Sequence, residues 1–467
     1  MKNMKYLKYN KQLISLACLA LIFVSSCKKF EDVGSPPTQL TADKVYADST
    51  SIMAASLALY GNYNVNGSTG LIVSANEYGS ISADDAFYPG NNVDFMTNQL
   101  SGSSNSTNIM YPEIYTMMFN DNTILQGLGH TTAISKELIN QLTGEAKFWR
   151  AYMYFYLVNY FGDVPLVLNT DAIANAGLPR TPKAQVYQQI IQDLLDAKSL
   201  LTDAYPGGAN VRINKEAVSA FLSRVYLFEA TPNYSAAETE ATNVLNSGLY
   251  SLDALSNVFL NTSTETIWQV ESDHYSYTGV TNTGSAFLPV GTSPRYMLYQ
   301  SLANTFEPND QRKTNWTQPI IYNGATHYYP YKYKLKNTSQ SGNEYSVMLR
   351  LGEVYLNRAE ARANQNNISG AQADLNIIRN RAGLANTTAS DQASLLTAIE
   401  HERWVELFTE NSDRWFTLRR TGTIGAILPV TKLPDIPNYT WSDYQALYPI
   451  PALELRANPN LKQNPGY

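Results

Sequence analysis

The sequence predicts a mainly α-helical protein, a scaffold of divergent tetratricopeptide-like helix pairs with long loop-rich insertions and a proline-rich irregular C-terminal tail. Three observations carry that prediction. Apolar residues recur at steps of three and four along most of the chain, which places them on one face of a helix. The slots of the tetratricopeptide pattern W-x2-L-G-x2-Y are occupied twice by apolar and aromatic residues, with the Gly only in the second. Between the helical stretches, residues 62–110 become rich in Gly, Asn and Ser, and residues 231–344 mix Gly, Asn, Thr and Pro with aromatics.

Residues 1–26 read as an export signal. Lys2, Lys5, Lys8 and Lys11 form a positive leader, and Leu13 to Val24 run almost without polarity, long enough for a signal and too short to span a bilayer. Ser25 and Ser26 lead into Cys27 in an arrangement that resembles a bacterial lipobox, whose cysteine carries lipid and begins the mature chain. A plain cleaved signal that happens to contain a cysteine is the alternative. Residues 27–40 make a short polar tether. Thr41 then reads as the N-cap of a helix on which Val45, Ile52, Ala55 and Leu59 recur at helical spacing.

Residues 62–110 read as long loops, and helices follow at 111–128, 135–160, 182–201 and 214–230, so that 41–230 forms an N-terminal helical region. The segment 231–344 reads as an insertion with short β-like runs such as TETIWQVES. Helices return at 345–382 and 391–420, and 345–467 forms a C-terminal helical region with its tail; 27–467 is expected to be one compact unit. The tetratricopeptide slots fall on Trp149, Tyr152, Met153 and Tyr156 in WRAYMYFY, and on Met348, Leu351, Gly352 and Tyr355 in MLRLGEVY. In the second, Gly352 would let a partner helix approach closely. Ile368, Ala371, Leu375, Ile378 and Ala382 then form one apolar stripe that needs a partner. Pro449, Pro451, Pro459 and Pro465 remove backbone donors from the tail, which is expected to lie across the helices as a clasp.

Composition narrows the function. The chain has 2 cysteines, Cys18 and Cys27, so nothing beyond the signal is free to form a disulfide. A formal charge of −6 argues against nucleic-acid binding, which needs a basic face. There is no G-x-S-x-G, no phosphate-binding G-x4-G-K-[ST] and no H-E-x-x-H, and His130, His274, His327 and His401 stand apart from one another. No catalytic residues, cofactor or metal site is expected. NYNVNG places Asn62, Asn64 and Asn66 like a calcium loop, but Val73 stands where a bidentate Glu is required.

What remains suits sugars. The 33 tyrosines offer apolar rings with polar tips. In ADDAFYPGNN, Asp84 and Asp85 can accept from vicinal hydroxyls while Phe87 and Tyr88 offer flat faces; Tyr275 and Tyr277 lie in a second loop, and Trp316 follows Arg312 in a third. Segments 77–96 and 272–322 would have to converge on one exposed face. Glu402 and Glu406 stand at i, i+4 as like charges, and Arg414, Arg419 and Arg420 are their natural partners. Crowded by Trp404, Phe408, Trp415 and Phe416, they read as a structural ion network rather than an acid and base pair.

Three segments, 345–384, 399–422 and the terminal LYPIPALELRANPNLKQNPGY, resemble the SusD/RagB family of surface glycan-binding lipoproteins of Bacteroidetes outer membranes. The resemblance covers the C-terminal half well, and residues 62–110 and 231–344 poorly. It implies an α-helical fold of tetratricopeptide-like pairs, surface exposure on the outer membrane, docking on a TonB-dependent SusC-like transporter, a glycan ligand and no catalysis. An envelope glycoside hydrolase, or a structural repeat protein that binds only its membrane partner, are the other readings. If lipid on Cys27 is the whole anchor, Cys27→Ala will lose lipid labelling and no longer float with membranes, while Cys18→Ala will keep both; equal retention of the two variants refutes the lipoprotein reading.

Overall fold

A computed structural model describes residues 42–62, 71–89, 93–271, 273–274, 277–278, 280–336 and 342–467. The signal, Cys27, the tether and Thr41 lie outside the described residues, as do Asn64 and Asn66. Ten helices of twelve or more residues are labelled here in chain order: α1 Ser49–Asn62, α2 Leu71–Ser82, α3 Asn105–Leu128, α4 Lys136–Phe161, α5 Lys183–Leu200, α6 Lys215–Phe228, α7 Tyr234–Asn246, α8 Leu351–Asn364, α9 Ile368–Arg381 and α10 Gln392–Leu407. The strands among the described residues form short two-stranded antiparallel sheets.

Consecutive helices pack in a continuous series. α3 lies against α4, α4 against α5, α5 against α6 and α6 against α7; α7 then packs on α8, and α8 on both α9 and α10. Local chemistry sets the helix starts. The Ser135 side chain accepts from the Leu138 N–H, Asn214 from Ala217 and Asn233 from Ala236, while Asp391 and Ser394 form a reciprocal capping box. α4 is buried on every side from Phe148 to Phe161, because α3, α5 and the strand Thr266–Val270 surround it. Trp149 and Trp268 meet edge to face at 4.9 Å, and Phe155 contacts Phe221, Phe228 and Phe416.

Several expectations need correction. The first helix is broken: Ala42–Val45 is separate from α1, where the Asp48 side chain accepts from the Ser51 N–H. Residues 62–110 are not simply loops, since they contain α2, the short helix Val93–Thr97 and the start of α3. α2 has a loop-like composition because it is an interior helix. A Cβ on Gly79 would stand 2.3 Å from Ser412 Oγ, and Asn76 both donates to Thr283 Oγ1 and accepts from the Asn411 N–H. The span 231–344 contributes α7 to the helical series.

The second tetratricopeptide match also shifts. Met348 lies in strand Ser346–Arg350, paired with Thr266–Val270, and the helix begins only at Leu351. Gly352 faces side chains of an ion network rather than the backbone of another helix. A Cβ there would stand 2.5 Å from Arg350 Nη1, 2.9 Å from Glu265 Oε1 and 3.0 Å from Glu406 Oε1. The tail does cross the helices: Asn464 Nδ2 donates to the Phe161 and Tyr448 carbonyls, and the Tyr448 N–H donates to Tyr160 O at 2.8 Å.

Gly352 is small because it borders a buried ion network. Glu406 accepts from Arg350 at 2.6 Å and Arg312 at 3.0 Å, and pairs with Arg381. Arg312 also meets Glu402 at 2.6 Å and Asp310 at 2.8 Å, and Arg350 meets Glu410 at 2.8 Å and Glu265 at 3.0 Å. The expected partners of the glutamates were the wrong arginines. Arg414 pairs with Asp84, and Arg420 with Glu360. Three guanidinium groups hold the Glu406 carboxyl well below the ordinary carboxylate range despite its burial. Its contribution to stability is therefore fully present above the ordinary carboxylate pKa and is lost as pH falls through the depressed value. Glu406→Gln strands that positive charge in the interior and is expected to cost about 3 to 5 kcal/mol, read as a loss of unfolding free energy in denaturant melts at pH 7; a loss under 1 kcal/mol contradicts this role.

Candidate ligand-binding face

The strand Ala86–Phe87 pairs antiparallel with Met297–Leu298, in the register Ala86↔Leu298 and Phe87↔Met297. This pairing brings the segment after α2 beside residues 280–299. Tyr88, half-buried just beyond the strand, meets Tyr296 with ring centroids 5.5 Å apart, and Tyr296 meets Phe287 at 5.1 Å. The Tyr296 hydroxyl donates to Glu77. Burial raises the Glu77 carboxyl above its ordinary range, while that hydrogen bond and the positive charge of Arg295 pull it back. Arg295 and residues 290–293 are exposed around this group.

A neighbouring hairpin adds partly exposed rings. Thr317–Tyr322 and Ala325–Pro330 pair around Asn323 and Gly324, both with positive φ, 48° and 78°. That is the two-residue turn Asn-Gly favours. Tyr322 and Ile320 pack on the cluster of Phe87, Met297 and Tyr299, and Tyr322 meets His327 at 6.1 Å. Our reading of the sequence missed these residues, although YNGA between two apolar and aromatic runs was the available signal. Of these rings Tyr88, Tyr322 and His327 stay partly exposed, while Tyr296 and Phe287 are buried supports; with the exposed Arg295 guanidinium they supply the mixture that C–H faces and hydroxyl edges of a sugar require.

The predicted site residues part company here. Tyr88 lies on the face. Phe87 is buried and meets Tyr299 with the rings tilted and centroids 5.1 Å apart, so it offers no surface to a ligand. Asp84 and Asp85 are not acceptors for ligand. Asp84 receives Arg414 Nε at 2.7 Å and Nη2 at 3.0 Å; Asp85 receives the Trp404 indole at 2.9 Å and the Thr409 N–H at 3.0 Å. Trp316 is fully buried, donates to Leu255 O at 2.8 Å and lies under the Lys332 ammonium, so it too is packing. Tyr277 lies in a strand paired with Asp273–His274, and Tyr275 lies outside the described residues.

Glu402 and Glu406, the carboxylates considered for acid and base chemistry, are both 0% exposed, which leaves them no route to a substrate. Among the described residues, no three His, Cys, Asp or Glu side chains are grouped to hold a metal.

Comparison with known proteins bears on most of the chain. Residues 29–227 match a SusD-like family profile described as starch-binding associating with outer membrane, and residues 297–467 match the SusD family profile. A SusD-like protein of Formosa agariphila is 27% identical over 414 residues, spanning 76% of this chain and 80% of the relative. The crystal structure of a SusD superfamily protein from Parabacteroides distasonis superposes with a TM-score of 0.75 at 25% identity, over 92% of this chain and 100% of that one. A laminarin-binding SusD-like protein superposes at 0.77 with 22% identity, over 90% and 100%, which is a likeness of fold.

Asp85 carries a pH signature. Burial, with the Asp84 charge beside it, pushes the Asp85 carboxyl from the ordinary 3.8 up to about 7. Between those values the folded state holds a proton that the unfolded state has released, so this group's contribution falls as pH rises. In Asp85→Asn that dependence disappears. Relative to wild type, the variant's unfolding free energy is expected to gain up to about 1.4 kcal/mol per pH unit between pH 4 and 7, measured by urea melts; a difference that stays constant with pH excludes the shift.

Proposed function

Because this chain belongs to the SusD/RagB family, we propose that it binds glycans at the cell surface and hands them to a TonB-dependent, SusC-like transporter in the outer membrane. Lipid on Cys27 holds the protein there through the tether 27–40, and Tyr88 is the stacking platform of its glycan site. The observation that carries this reading is half-buried Tyr88, seated on the buried Tyr296 beside exposed Arg295, with half-buried Tyr322 and His327 on the neighbouring hairpin that packs on Phe87. The Formosa agariphila relative supports it, with similarity along most of both chains. Among the described residues no helix is long and apolar enough to cross a membrane, which fits attachment through lipid.

The reading as a glycoside hydrolase has less support. Such an enzyme needs two carboxyls about 5 to 9.5 Å apart across an open cleft, and the glutamates singled out for that chemistry are sealed in the ion network. Release of new reducing ends from glycans incubated with the protein would favour it.

The test pairs a surface aromatic with a buried one, against a polysaccharide panel that includes starch and laminarin. Tyr88→Ala is expected to lower affinity ~5- to 30-fold, the equivalent of about 1 to 2 kcal/mol, with its melting temperature kept. Trp316→Ala is expected to lose ~3 to 5 kcal/mol of folding stability. Normal affinity in Tyr88→Ala would place the site elsewhere.

A further inference from the structure

A second groove crosses the outer face of α3, on the helical scaffold. Phe119, Thr123, Gln126 and Gly127 follow one another at steps of four, three and one along this helix, so they share one face. Two cavities open along it, of about 530 Å³ and about 390 Å³, and both are lined by Gln126 and Thr170. The first runs beneath Tyr46, Phe119 and His130; the second continues over Asn122, Leu168 and Asn169.

The groove has built walls. The Tyr46 ring lies against Gly127, where a Cβ would come within 2.2 Å of the ring, so glycine is what seats the aromatic there. The Tyr46 hydroxyl donates to Thr123 O at 3.2 Å, and Thr131 Oγ1 donates to Tyr46 O at 2.7 Å, fixing both ends of that residue. At the junction, Thr170 Oγ1 donates to Gln126 Oε1 at 2.5 Å, which leaves the Gln126 amide hydrogens to point elsewhere. Phe119 is 49% exposed and lines the first cavity.

The chemistry of the lining selects a ligand class. Among the described residues lining the two cavities there is no Lys, Arg or Glu, and the carboxylate among them, Asp171, is engaged in capping the helix Ala172–Ala176 through the Ile173 and Ala174 N–H groups at 3.0 Å. A strongly charged ligand therefore finds no countercharge. Aromatic rings alternate instead with an amide and hydroxyls, and ~300 to 1,000 Å³ is the usual size of a cleft for a small ligand. We propose that this groove is a second saccharide site, taking a neutral oligosaccharide of about two or three rings and acting independently of the Tyr88 face. The proposal rests on the glycan reading above only for its ligand class.

Isothermal titration of the full chain with maltotriose and with laminaritriose tests it, on wild type, Tyr88→Ala, Phe119→Ala and Gln126→Ala, each checked for an unchanged melting temperature. The expected result is that at least one trisaccharide still binds Tyr88→Ala, and that adding Phe119→Ala or Gln126→Ala to that variant weakens the remaining event at least fivefold. Binding abolished by Tyr88→Ala and untouched by Phe119→Ala overturns the second site while leaving the proposed function standing. Wild-type titrations in Phe119→Ala, together with lost capture of the transporter from detergent, overturn it in favour of a protein-docking groove. If neither trisaccharide binds any form, the second site is rejected, and the polysaccharide panel decides the proposed function separately.

Discussion

The carboxylate of Glu406 has to be neutralised where no water reaches it, and much of the C-terminal half is arranged around that requirement. Its partners come from three places in the chain, Arg312 in the short helix Gln311–Trp316, Arg350 at the end of a strand and Arg381 at the end of α9, and the last two also bind a second buried carboxylate, Glu265. A buried carboxylate is tolerable only when its charge and lone pairs are met by such donors. Gly352 is excluded from having a side chain by the same cluster, and Trp316 is pinned in the interior under Lys332, Arg350 and Arg381. The tetratricopeptide-like glycine and the apparent sugar platform are both consequences of this network.

The same logic positions the candidate face. Arg414 grips Asp84 with two nitrogens while the Trp404 indole and the Thr409 N–H hold Asp85, so the strand Ala86–Phe87 is fixed to the C-terminal helices immediately before Tyr88. On the other side, the Lys432 ammonium donates to the Ile81, Ser82 and Met96 carbonyls and to Asn98 Oδ1, at 2.8 to 3.0 Å. Burial pulls this lysine well below its ordinary range, yet four oxygens surround it, and a neutral amine would turn its lone pair toward one of them. We read it as an ammonium. A ligand-binding aromatic on a loop gains precision from supports of this kind, because its geometry is then set by buried charge pairs rather than by the loop itself.

The two surfaces proposed for saccharides are made differently. The Tyr88 face depends on strand pairing between segments far apart in the chain, Ala86–Phe87 and Met297–Leu298. The groove over α3 is largely a product of one helix, with Tyr46 and the segment around Thr170 closing its sides. A shallow face and a scaffold groove on one chain would let an extended polymer be held at two points, where tethering raises effective concentration without any new contact at either site.

Short-range physics is legible in the order of the residues. Ser135 and Asn214 mark helix starts because a side-chain oxygen three residues before a free N–H caps it whatever lies elsewhere, and Trp149, Tyr152 and Tyr156 share one face of α4 because they recur at steps of three and four. The terminal prolines announce a segment that cannot join a sheet, and the tail accordingly lies across the end of α4. What composition alone could not reveal is which polar residues turn inward. α2 reads as a loop because Asn76 and Gly79 serve partners near residue 411, and Asp84 reads as a ligand acceptor because the arginine that claims it is 330 residues away. A sequence displays hydrogen-bonding capacity and aromatic surface, but whether that capacity is spent inside the protein or left for a ligand is settled only when the chain brings distant charges together. Here that assembly took Asp84, Asp85, Phe87 and Trp316 for the interior and left Tyr88 at the surface.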